Sequence, residues 1–225
     1  MKLKFDYLEH QLNLNNEYIN VIEIENKKYL YRIINDIKMM VDGEELEEIM
    51  LYDNDFNEIS LTNKCKLLID YFNIDLNIKK NLTSLFKIVK ENITDDDRKI
   101  LAKEYKNITK IFTNILQKVD VSTKIDEDFE MEDLFKFLKL SIFQASDLLE
   151  NLLLYIDVCK ELLPAKILFF INLKDYLKEE ELIELYKYAI YNSINIVLID
   201  SHCYDSMLKY EKKLIIDENL DEFVI

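Results

Sequence analysis

The run KILFFINL at residues 166–173, the amphipathic stretch from Glu179 to Tyr191 and the run NIVLID at 195–200 together decide the fold. Both outer runs are continuously apolar instead of alternating, which is how strands read when a sheet is covered on both faces. Joined by a single helix, they form a βαβ unit with parallel strands. Near the other end of the chain, residues 18–25 (YINVIEIE) are β-branched and alternate toward their close, so they predict another strand. Lys213 to Asp217 predicts a last short one. The expected class is α/β, with a mostly parallel sheet built from both ends of the sequence.

Working outward, Lys28 to Val41 carries Leu30, Ile33, Ile34, Ile37 and Val41 at helical spacing and stops at Asp42-Gly43. Glu48 to Tyr52 and Ile59 to Leu61 flank the polar stretch 53–57, a hairpin pattern, and the apolar run from Cys65 to Phe72 fits helix or strand. Helical periodicity then runs from Ile78 to about Lys118, broken only at 92–97. There Thr94 precedes Asp95, Asp96 and Asp97, an N-cap followed by carboxylates that meet the positive end of the helix dipole. Residues 130–163 are expected to continue as helix until Pro164. Such long helices exceed what one small sheet can hold. The predicted organisation is a discontinuous α/β head, residues 1–81 and 159–225, with an inserted all-helical leg at 82–158.

Composition excludes several functions. Among 225 residues Gly43 is the only glycine, so neither a dinucleotide fingerprint nor a P-loop can be built. Forty-four acidic against 29 basic residues give a net charge of -15, which repels nucleic acid and anionic membrane unless positive charge is concentrated locally. Cys65, Cys159 and Cys203 are odd in number and far apart, and read as reduced core thiols. No apolar run is long enough to span a bilayer, and the opening MKLKFD lacks the apolar stretch of a signal peptide, so a cytoplasmic protein is expected.

Four groups of residues were weighed for chemistry. His202 and Cys203 are neighbours beyond a strand end, but adjacent residues of an extended chain point to opposite faces and make a poor nucleophile and base pair. Glu25-Asn26-Lys27 matches half of a metal-dependent nuclease motif, and with Glu23 gives an alternative function, against the simpler reading of a solvated strand end. Between 77 and 110 nine basic residues face five acidic ones, and Lys103, Lys106 and Lys110 share a helix face that either tracks phosphates or pairs with acidic neighbours. Asp126, Glu127, Asp128 and Glu130 form a dense carboxylate group that either recruits a hard cation or serves the start of a helix. An acidic protein-interaction scaffold without nucleic-acid affinity remains a further alternative.

The order of segments adds a resemblance over essentially the full length. Lys4-Phe5-Asp6, the strand at 21–26 (VIEIEN), FNIDLN at 72–77, LFKFL at 134–138, the strand and loop at 166–177 and LIIDENL at 214–220 follow one another as in the accessory adaptation family of type II-A CRISPR loci, in its short form. That resemblance implies an α/β head with a helical leg and a homotetrameric ring that binds ends of double-stranded DNA without catalysis. It also implies Ca²⁺ holding the ring, and a role in spacer acquisition for antiviral defence beside the CRISPR integrase pair and effector nuclease. On this reading the expected DNA contacts are Lys27, Lys28, Lys79 and Lys80 at element ends of the head, and the expected metal ligands are Asp126, Asp128, Glu130 and Asp133. A ring with an acidic exterior and a basic lumen reconciles the net charge with DNA binding.

Overall fold

In the computed structural model, which describes residues 1–44, 46–61, 63–125, 128–204 and 206–225, the chain runs β1 (Lys2–Phe5), β2 (Leu12–Asn13), β3 (Ile19–Ile24), α1 (Lys27–Asp42), β4 (Ile49–Tyr52), β5 (Glu58–Ile59) and β6 (Cys65–Leu68). Helices α2 (Lys79–Asn92), α3 (Asp95–Leu116), α4 (Met131–Phe137) and α5 (Leu148–Glu161) follow. After them come β7 (Ile167–Ile171), α6 (Glu179–Tyr191), β8 (Asn195–Asp200), β9 (Glu211–Ile216) and β10 (Glu222–Val224).

The larger sheet has the order β10-β9-β3-β8-β7-β6, and every pair in it is parallel except β9 with β10. Every residue of β3, β7 and β8 is buried, as their unbroken apolar character requires. Side chains still alternate between the two faces. Ile22, Ile24, Phe169, Val197, Ile199 and Leu214 share one core with Ile33 and Ile37 of α1 and with Leu3, Phe5 and Leu51 of the smaller sheet. Each such side chain contributes roughly 1.5–3 kcal/mol when fully buried. Gly43 ends α1 at φ 98, a left-handed position where a side chain would be strained.

The smaller sheet, ordered β2-β1-β4-β5 and antiparallel throughout, includes two strands that periodicity did not reveal. β1 has only four residues and β2 two, too short for an alternating pattern to register. Cys65–Leu68 resolves as strand, and β10 extends the far edge of the larger sheet.

The chain divides into two compact units, one of Met1–Leu76 with Phe143–Ile225 and one of Asn77–Ile142. This moves both expected boundaries, 82 and 158, toward the amino terminus, and α5 belongs to the α/β unit. The reason is its packing: Leu152, Ile156 and Cys159 are buried, the Tyr188 hydroxyl of α6 donates to Asp157 Oδ1 at 2.6 Å, and Lys160 Nζ reaches Asn192 Oδ1 at 3.1 Å. Nor do residues 130–163 form one helix. α4 stops just before Lys139 at φ 52, and α5 starts afresh where the Asp147 side chain accepts from the Glu150 amide.

Within the helical unit, Asn77 and Ile142 exchange hydrogen bonds of 2.7 and 3.0 Å, closing the two chain ends on each other. Lys90 pairs with Glu132 at 2.7 Å, and the Phe86 and Phe135 rings lie 5.1 Å apart, tying α2 to α4. α3 begins with a full capping box between Thr94 and Asp97, yet none of its 22 residues is buried. Among the described residues no helix is long and apolar enough to cross a membrane.

Candidate nucleic-acid interface

Helix starts in this chain fall into two kinds. α3 opens with Asp95, Asp96 and Asp97, and α6 opens with Glu179, Glu180 and Glu181, placing anions at the positive dipole end. α1 and α2 do the reverse. They open with Lys27-Lys28 and Lys79-Lys80 and have no acid in the first turn. Cations there cost each helix about 0.3–1 kcal/mol, so helix stability does not account for them. All four lysines are exposed, and Lys27, Lys28 and Lys79 make no ion pair among the described residues. Ammonium groups beside outward-pointing first-turn amides offer the donors that a phosphate takes. At α1 the Asn26 side chain accepts from the Tyr29 amide at 3.1 Å, which fixes the geometry of that end. Lys79 and Lys80 open the helical unit and not the α/β unit, correcting their expected place in the head.

α3 carries a second basic feature. Lys103, Lys106 and Lys110 are exposed on one face. A shallow depression of about 350 Å³ is lined by Lys106, Thr109, Lys110, Thr113 and Asn114. The Thr109 and Thr113 hydroxyls donate to the carbonyls of Tyr105 and Thr109, both at 2.9 Å, leaving their oxygens as part of a polar floor.

The expected calcium ligands fare differently. Asp126 lies outside the described residues. Asp128, Glu130 and Asp133 are exposed, and Asp133 accepts from Lys136 Nζ at 2.9 Å. Among the described residues no three acidic, histidine or cysteine side chains converge as a metal site, so those present do not by themselves fit a calcium centre.

Sequence reasoning missed a buried charge network on the α6 side of the larger sheet. Glu23 of β3 forms an ion pair with Lys213 Nζ at 2.8 Å and lies 3.6 Å from Lys174 Nζ, which also pairs with Glu211 at 2.9 Å. Tyr186 of α6 donates to Glu211 Oε1 at 2.8 Å. Lys213 Nζ, Glu23 and Glu211 further hold the backbone of Tyr204 and Leu208 in the loop between β8 and β9. Asp200, the register partner of Glu23, is fully buried, and among the described residues neither carboxylate oxygen has a hydrogen-bond partner. Burial above all, then Glu23, Asp175 and Glu211 against the opposing Lys174, pushes its acid up to about 7. The available signal was charge within or at the ends of strand-forming runs, namely Glu23, Asp200, Glu211 and Lys213.

This network bears on the nuclease alternative, and the surroundings of Cys203 bear on the His202–Cys203 one. Glu23 is committed to two lysines in the interior, so Glu23, Glu25 and Lys27 do not assemble as an accessible nuclease site. Cys203 is exposed, contrary to its expected place in the core, and partial burial together with Glu25 and Glu23 pushes its thiol up to about 11. That direction is opposite to the lowering that activates a cysteine nucleophile. Its neighbour His202 contacts Ser201 Oγ at 3.1 Å instead. Cys65 and Cys159 are buried free thiols, as read.

Comparison with known proteins supplies the identity. The chain is 21% identical over 228 residues to the CRISPR-associated protein Csn2 of Enterococcus faecalis, covering 97% of this chain and 96% of that protein. The crystal structure of Stu0660 of Streptococcus thermophilus superimposes with a TM-score of 0.60 at 14% identity, over 100% of this chain and 76% of the other, so the α/β architecture is shared. A family model of the CRISPR-associated protein Cas_Csn2 matches residues 42–220, well over half of the sequence. The chain therefore belongs to the Cas_Csn2 family of CRISPR-associated proteins, the type II-A adaptation family that its order of segments resembles.

Proposed function

We propose that this chain binds the ends of linear double-stranded DNA, without cleaving it and without reading its sequence, as a homotetrameric ring that supports spacer acquisition beside the integrase pair and effector nuclease. The observation that carries the reading is the pair of helices opened by Lys27-Lys28 and Lys79-Lys80 with no first-turn acid, in a chain whose other long helices follow the opposite rule. Phosphate contacts of this kind give affinity and strong salt dependence but no base readout. Self-association is supported by α3, where Ile108, Ile111, Phe112 and Ile115 form an exposed apolar stripe. Only an assembly multiplies a few lysines per chain into a basic lumen inside an acidic protein.

Calcium enters this proposal as an ion of assembly. Its ligand set needs more than Asp128, Glu130 and Asp133 of one chain, for instance Asp126 or a second subunit. Gel shifts of linear duplex test the DNA reading: Lys27→Glu/Lys28→Glu and Lys79→Glu/Lys80→Glu should each weaken binding at least roughly tenfold and flatten its salt dependence. Unchanged binding by both double variants would remove these lysines from the interface. Sedimentation in EGTA tests the ion: loss of the tetramer supports it, and an intact tetramer rejects it.

A further inference from the structure

A groove of about 780 Å³ lies between the end of α1 and the β4–β5 side of the smaller sheet. Its floor includes Met40, Leu46 and Ile59, of which Met40 is buried and the other two are half-buried against the core. Its rim carries Glu44, Glu47 and Glu58, all exposed, and none of them makes an ion pair among the described residues. The last turn of α1 adds the negative end of its dipole and contains no basic residue, although a lysine or arginine there would be stabilising. Both features leave the groove electrically unbalanced toward cations. A metal does not supply the balance, because no three ligating side chains converge among the described residues. A cationic protein segment can, since its lysines or arginines reach separated carboxylates while its apolar side chains fill the floor.

We infer that this groove docks a basic amphipathic helix of a partner protein, laying its apolar face on Met40, Leu46 and Ile59 and pairing its flanking lysines or arginines with Glu44, Glu47 and Glu58. β5, the free edge of the smaller sheet, is only two residues long and offers little template for an added strand, which favours the helical form. A flexible methionine in an apolar floor suits a helix face whose residues vary. The inference does not rest on the DNA reading, which uses other residues.

The test uses the full chain and a labelled synthetic peptide with Leu at i, i+3, i+4 and i+7 and Lys elsewhere, followed by fluorescence anisotropy. Glu47→Gln/Glu58→Gln should weaken its binding roughly fivefold to tenfold. The control Glu180→Gln/Glu184→Gln, which removes equal charge from the exposed side of α6, should leave it within about twofold. A peptide with every Leu replaced by Ser should bind far less. Equal weakening by the two double variants would mean only general attraction to an acidic protein and would overturn the inference. So would undiminished binding of the Ser peptide, or no response to the groove variant.

Discussion

The α/β unit and the helical unit spend their apolar residues in opposite ways. In the first, three strands are buried along their whole length, and even four charged side chains, Glu23, Lys174, Glu211 and Lys213, are drawn inside and matched against one another, with Asp200 left over among the described residues. In the second, the longest helix of the chain buries none of its residues and exposes Ile108, Ile111, Phe112 and Ile115 on one side. A unit that leaves a stripe uncovered gains from whatever covers it, and α3 is where the proposed self-association would act.

The largest expected effect breaks the complete core. Phe169→Ala should cost about 3–5 kcal/mol by chemical denaturation, since Phe169 is fully buried in the shared core. Next comes the leftover acid. Because the folded state holds Asp200 protonated up to about 7, against an ordinary value of 3.8, it binds more protons than the unfolded chain between those limits. Stability from this group is therefore fully present below 3.8, falls as pH rises through the window and is level above it. Asp200→Asn should erase that slope and gain roughly 2–4 kcal/mol over the parent at pH 8, read as the difference between their denaturation curves. A variant less stable than the parent at pH 8 would instead make the charged form an asset.

Smaller effects probe the helical unit. Thr94→Ala, which removes the hydroxyl partner of the Asp97 amide, should cost about 1 kcal/mol and fray the start of α3 by hydrogen exchange. Phe112→Ser should change unfolding by no more than about 0.5 kcal/mol, as a surface substitution, while lowering the sedimenting mass. A large loss of stability from Phe112→Ser would show that α3 is covered within its own chain and would dissolve the contrast between the units.

Much of the sheet was legible because buried parallel strands have an unmistakable sequence: KILFFINL, NIVLID and VIEI contain almost no polar residue to interrupt them. β1 and β2 escaped because they are too short for alternation to register, and the pairing of Leu3 with Leu51 joins segments far apart in the chain. The break between α4 and α5 escaped for a related reason. Its apolar residues keep helical spacing, and what stops the helix is Lys139 at positive φ and the long-range clasp of Asn77 on Ile142. At the candidate interface the lysines were visible by type and position. The absence of first-turn acids, on which the proposed phosphate contacts rest, emerges only when the helix starts are compared, and whether a lysine is paired needs coordinates. The carboxylates at 126–133 could be counted in sequence, but spacing in an irregular approach to a helix says little about convergence.

In the proposed assembly, binding requires a free duplex end that can enter a ring. The most direct measurement is a gel shift at one fixed salt concentration with equal masses of the same duplex, linear in one arm and covalently closed in the other. A clear shift of the linear form is expected, with binding of the closed circle weaker by at least roughly tenfold. Equal affinity for the two forms would contradict it.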